Sequence, residues 1–100
     1  MDAAGLMGVD NSALMYRGTS GQYGTYKDID NLPFNGFYRM SGTFPSGTTP
    51  PGINYGIIIN MQGGGYGAQI SIQNVNDSST TQVFARVMIN ATWSPWASLT

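Results

Sequence analysis

The chain is one hundred residues long, with 9% charged side chains, a net charge of −1, and neither cysteine nor histidine. That length allows one domain with a modest core, burying roughly 60–70% of the unfolded surface, and the charge lies far below the roughly 25% of an ordinary domain, so solubility rests on Gly, Ser, Thr, Asn and Gln. Arg17, Lys27, Arg39 and Arg86 against five aspartates make no basic stripe for phosphates, which excludes nucleic acid as a partner, while the missing cysteine and histidine remove disulfides, thiolate sites and the usual acid–base and triad chemistry.

In chain order, residues 1–12 read as a linker or the end of a preceding segment: Ala3 to Val9 is too short and Gly-rich to fold alone, and Met1-Asp2 resembles the start of an expressed fragment. Neither a signal peptide nor a membrane span is expected, because no basic segment precedes an apolar run and no 18 successive residues are apolar. Residues 13–100 are expected to form one β domain. Its first strand is predicted at Ala13 to Arg17, with one helical turn after Asn11 or Ser12 and another after Thr25 that ends before Pro33. A second strand follows at Phe37 to Ser41. Pro45, Pro50 and Pro51 make residues 45–52 an irregular crossover, since proline cannot donate to a central ladder.

Three long strands come next. Residues 53–61 place Tyr55, Ile57, Ile59 and Met61 on one face and Ile58 on the back. Residues 66–75 alternate Tyr66, Ala68, Ile70 and Ile72 with Gln69, Ser71 and Gln73, the pattern of a half-buried antiparallel strand. Residues 82–90 set Val83, Ala85, Val87 and Ile89 against Phe84, Arg86 and Met88; apolar groups on both faces predict a central or covered strand. Gly63-Gly-Gly65 and the polar run 74–79 read as hairpin loops between them. The fold class is therefore all-β, a small antiparallel meander or sandwich-like knob with little helix.

Both tryptophans lie in Trp93-Ser-Pro-Trp96-Ala-Ser-Leu99-Thr100. Two side chains with the largest apolar area require a docked segment, and at least one is expected to be largely buried. Packing of a final strand around residues 93–99, a stacking platform for sugar and a contact between subunits all remain open for the pair.

The tryptophan spacing, Ala13-Leu-Met-Tyr-Arg-Gly18, and Asp28-Ile-Asp-Asn-Leu-Pro-Phe-Asn-Gly36-Phe-Tyr38 follow one another in an order that resembles the C-terminal knob of bacteriophage and R-type pyocin tail fibres. The similarity spans about 90 residues. It departs at Ala97 and Ser98, where related knobs often carry a basic residue, and over residues 42–55. The resemblance implies an extracellular, virion-borne tail-fibre tip that attaches to a bacterial surface receptor, with a cell-envelope glycan as the expected ligand, no membrane insertion and no catalysis. It also implies a homotrimer, in which the two-sided strand, with Phe84 and Met88 opposite Val83 and Val87, is partly covered by neighbouring copies. The alternative is a structural cap that registers fibre chains while receptor contacts lie elsewhere. Gly36, Tyr38, Trp93, Trp96 and Leu99 are the expected structural residues.

Chemistry-bearing patterns are sparse. Asp28 and Asp30 suit turn or helix-start roles; a calcium loop would need a ligand where Leu32 stands and a closing glutamate that the chain does not contain. A glycosidase needs two carboxylates about 5–10 Å apart, yet Asp2, Asp10, Asp28 and Asp30 all precede the long strands. Gly63 to Ala68 imitates a dinucleotide fingerprint but joins two strands instead of opening a helix. No enzyme activity, metal or cofactor is expected. For ligand contact, hairpin ends bring Tyr66, Asn74, Asn76, Asp77 and Gln82 to the surface, and aromatic and amide groups with little fixed charge suit sugar hydroxyls.

Overall fold

A computed structural model describes residues 14–52, 54–74 and 80–100. One sheet contains β1 (Tyr16–Ser20), β2 (Gly36–Ser41), β3 (Tyr55–Gly63), β4 (Tyr66–Asn74), β5 (Thr81–Ile89), β6 (Thr92–Trp93) and β7 (Ala97–Ser98). The fold is all-β, as the alternation predicts. The sheet follows chain order from β1 to β6, and β7 joins β6 on the side of β5 away from β4. The long strands begin or end within two residues of the predicted bounds, whereas the expected final strand is split in two around Ser94-Pro95-Trp96.

Pairing is antiparallel except between β1 and β2. A parallel pair needs a crossover, supplied by residues 21–35 with a single 3-10 turn, Ile29–Asn31. Asp28 caps that turn, its Oδ1 accepting from the Asp30 amide at 3.0 Å. The turn predicted before Pro33 is thus three residues long; the one predicted near Asn11, with all of 1–12, lies outside the described residues. Gly64 and Gly65, with φ of 62° and 84°, close the β3–β4 hairpin in the two-residue turn that favours positive φ at both positions.

The sheet buries the face opposite to the one its hydrophobicity suggests. Gln69, Ser71 and Gln73 of β4 are buried, while Ile72 and Tyr66 are exposed. In β3, Ile58 and Asn60 point inward and Ile57 and Met61 outward; in β5, Phe84 and Arg86 point inward and Val87 and Ile89 outward. Phe84 and Met88 therefore lie toward the inner face, and the Val83 and Val87 side is the one the chain's own segments leave open.

The physical reason lies in what covers the inner face. No α-helix or second sheet does so among the described residues; largely irregular segments spanning 21–35, 42–52 and 94–96 do. Their carbonyls lack ladder partners and must be satisfied. Side-chain amides of the sheet supply them: Asn60 Nδ2 donates to Phe34 O at 3.0 Å, Gln69 Nε2 to Ile29 O at 2.8 Å, and Gln73 Nε2 to Pro51 O. Asn60, Gln69 and Arg86 are direct cross-strand neighbours, and they bond along the row, Gln69 Nε2 to Asn60 Oδ1 at 3.0 Å and Arg86 Nε to Gln69 Oε1 at 2.9 Å.

Beside this polar row sits the apolar core of Ile29, Leu32, Tyr38, Met40, Phe44 and Ile58, with Tyr26 and Trp96 packed against it. Full burial of a residue such as Ile58 contributes about 1.5–3 kcal/mol. Tyr38 carries the core's polar handle: its hydroxyl donates to Phe34 O at 2.8 Å and accepts from Phe34 N at 2.9 Å. Desolvation raises its pKa above the ordinary phenol value, against the Phe34 bond, which lowers it. A phenol that ionises later in the folded state contributes stability that is intact below about pH 10 and lost as pH rises further. Tyr38→Phe is expected to lose about 1–3 kcal/mol at neutral pH and to flatten that alkaline decline, as measured by urea unfolding at neutral and alkaline pH.

Candidate functional site: a tryptophan-walled cavity

The C-terminal segment is positioned by a tight reversal after β5. Asn90 and Ala91 both have positive φ, 51° and 62°, which sends the chain back so that Trp93 lies opposite Met88. Ser94 then clamps Val87 twice, its amide donating to Val87 O at 2.8 Å and its Oγ accepting from Val87 N at 3.0 Å. Beyond Pro95 and Trp96, Leu99 N donates to Val83 O at 2.8 Å.

Arg86 organises what this segment covers. Its side chain is 1% exposed and its Nη2 lies 2.7 Å from Asp30 Oδ1. The guanidinium carbon sits 4.3 Å from the Trp93 ring centroid and 4.6 Å from that of Trp96, both within cation–π range. Trp93 Nε1 donates to Asp30 O at 3.2 Å and Trp96 Nε1 to Thr48 O at 2.8 Å. Desolvation pulls the arginine pKa down and the Asp30 bond and charge oppose it; a guanidinium stays charged at neutral pH regardless. Both tryptophans keep only a minor part of their surface exposed, and Trp96 packs against the apolar core. Stacking on Arg86 and two indole hydrogen bonds dock them as well.

Between the 3-10 turn, the 45–52 crossover and this segment lies an open cavity of about 520 Å³, lined by Asp30, Thr48, Arg86, Thr92, Trp93 and Ser94 among others. The size falls within the roughly 300–1,000 Å³ of small-ligand sites. Its wall combines an indole, a carboxylate and hydroxyl side chains, groups that recognise sugar by ring stacking and hydrogen bonding. Asp30 is already engaged: besides Arg86, its oxygens accept from Thr48 N at 3.2 and 3.3 Å. Among the described residues, no group of three or more Asp, Glu, His or Cys side chains is placed to hold a metal ion.

The residues predicted from sequence divide between two ends of the sheet. Tyr66 is exposed, and its hydroxyl donates to Asn90 Oδ1 at 2.9 Å; Asn90 precedes Ala91, which lines the cavity. Asn74 and Gln82 belong to the opposite end, roughly 26 Å from Tyr66 along β4 at 3.3 Å per residue, and Asn76 and Asp77 lie outside the described residues. Gly36 and Tyr38 occupy structural positions in β2, and Leu99 is exposed but tied to Val83 through its amide. Sequence reasoning missed Asp30, Thr48 and Arg86 as neighbours. The available signal was Arg86 itself, a charge between Phe84 and Met88 on the inward side of an apolar strand. No protein-family model, curated protein or solved structure matches the chain.

Proposed function

We propose that the domain is the tip unit of a viral tail fibre, working outside the cell as a homotrimer that attaches the particle to a bacterial envelope glycan without catalysis. The observation that carries the reading is the cavity walled by Trp93, with Asp30, Thr48 and Ser94 beside it. An indole wall with hydroxyl and carboxylate groups on a nearly uncharged domain suits a sugar ring better than a phosphate. Contacts at one such site are weak, and three copies on one fibre convert them into firm adhesion by effective concentration.

The test is adsorption of labelled protein, linked as a trimer, to susceptible cells and purified envelope polysaccharide. Thr48→Tyr, which fills the cavity from an exposed position, is expected to weaken adsorption about tenfold or more, the equivalent of about 1.4 kcal/mol. Unchanged adsorption by folded Thr48→Tyr removes the cavity from the reading. A second reading, a cap that registers fibre chains, is favoured by the internal use of both indole N–H groups; absence of adsorption to every plausible host surface would leave that one standing.

A further inference from the structure

We infer that the outer face of the sheet is an interface between copies of this chain. Cross-strand pairing aligns Ile57 with Ile72 and Val83 in one row and Ile59 with Ile70 in the next, with Val87 in a third. These rows stand on the side opposite the segments 21–35, 42–52 and 94–96, which pack on the polar inner face. Eight outer-face side chains retain 41–58% of their exposure. At roughly 200 Å² for a fully exposed large side chain, they offer about 750 Å² of mainly apolar surface, more than the roughly 300–600 Å² of the largest patch on a typical monomer. It also matches the roughly 800 Å² that each partner contributes to a standard stable interface.

A second copy is the occupant that the chemistry of the face fits. In a cyclic assembly the residues nearest the axis meet their own copies, so any charge there faces its own sign; the three isoleucine and valine rows carry none. Arg39, paired with Ile57 at the β2 margin, is the face's one formal charge among the described residues. A differently charged partner would find little for electrostatic steering. Flat rows of β-branched side chains, by contrast, interdigitate with another sheet at about 10 Å separation. The inference does not depend on glycan attachment: it assigns the surface through which the proposed trimer forms, on the side of the sheet opposite the cavity's charged floor.

Light scattering on the full chain at high micromolar concentration is expected to give three times the 10.7 kDa chain mass. Ile72→Lys combined with Val87→Lys is expected to raise the dissociation midpoint at least tenfold while the β circular dichroism persists. The same charge added at Thr25 and Thr43, exposed positions away from this face, should leave the mass unchanged. A two-copy mass that the outer-face lysines abolish would support the interface while counting against the trimeric fibre. A wild-type monomer at every concentration overturns the inference, as does a folded double-lysine variant that retains the wild-type mass. If that variant fails to fold, peroxide oxidation of wild-type Met61, which lies on the open face, decides: protection that grows with protein concentration supports the interface, and a concentration-independent rate overturns it.

Discussion

Replacing Arg86 with leucine is expected to remove about 3–5 kcal/mol of stability, a large share of the roughly 5–15 kcal/mol that a domain of this kind possesses. Removing one partner of a buried ion pair strands the rest. Gln69 Oε1 loses its donor from Arg86 while remaining buried, Asp30 loses a 2.7 Å bond, and both tryptophan rings lose the cation between them. Arg86→Lys retains the charge but neither the planar stack nor the fork that reaches Gln69 and Asp30 together, so it should fall between wild type and leucine. Urea unfolding followed by tryptophan fluorescence and far-UV circular dichroism measures both effects. A leucine variant within about 1 kcal/mol of wild type, the ordinary effect of a single substitution, would show that the arginine does not hold the segment in place.

Gly36→Ala is expected to be comparably damaging for a backbone reason. Gly36 has φ of 131°, and a Cβ there would collide with the Met15 carbonyl oxygen and press on Arg17 Cγ and Nε at 3.0 Å. That same Met15 oxygen accepts from Phe37 N at 2.8 Å, and Arg17 Nε donates to Asn35 O at 2.6 Å. The added methyl must therefore either force the backbone through about 1–3 kcal/mol of strain or push β1 away from β2. A total loss near 3 kcal/mol corresponds to a melting point lowered by roughly 12–24 °C in a domain this size. Hydrogen exchange should show the loss of protection concentrated in the β1 amides and in Phe37; an unchanged melting point would mean that the first strand yields without consequence.

Strand positions were legible because side-chain alternation and glycine turns are local properties, and Gly63 to Gly65 sits where the sequence places a hairpin. Which face turns inward was not legible. A period of two separates Gln69 from Ile70 without saying what lies above either, and here the covering layer is loop, with carbonyls that need donors more than methyl groups. Asp30 illustrates the same limit for the cavity. Its role in a turn follows from neighbours two residues away, but its bond to Arg86 spans 56 positions and depends on how the crossover folds back. Thr48 enters the site only because Trp96 and Asp30 grip its backbone, a fact without any side-chain signature.

The tryptophan clamp also has a consequence for how the protein comes into being. Translation delivers Trp93 and Trp96 after every group they stack on or donate to, so Arg86 and the turn carrying Asp30 are already made when the two rings arrive. Until then the guanidinium keeps water on the faces the indoles will take, and the inner layer stays open near β5. A chain interrupted before residue 93 contains all five longer strands and yet has an uncovered charge where its roof should be. A chain that stops short of residue 93 is therefore expected to be less stable than one that carries both rings, because an arginine that the fold buries is left facing water.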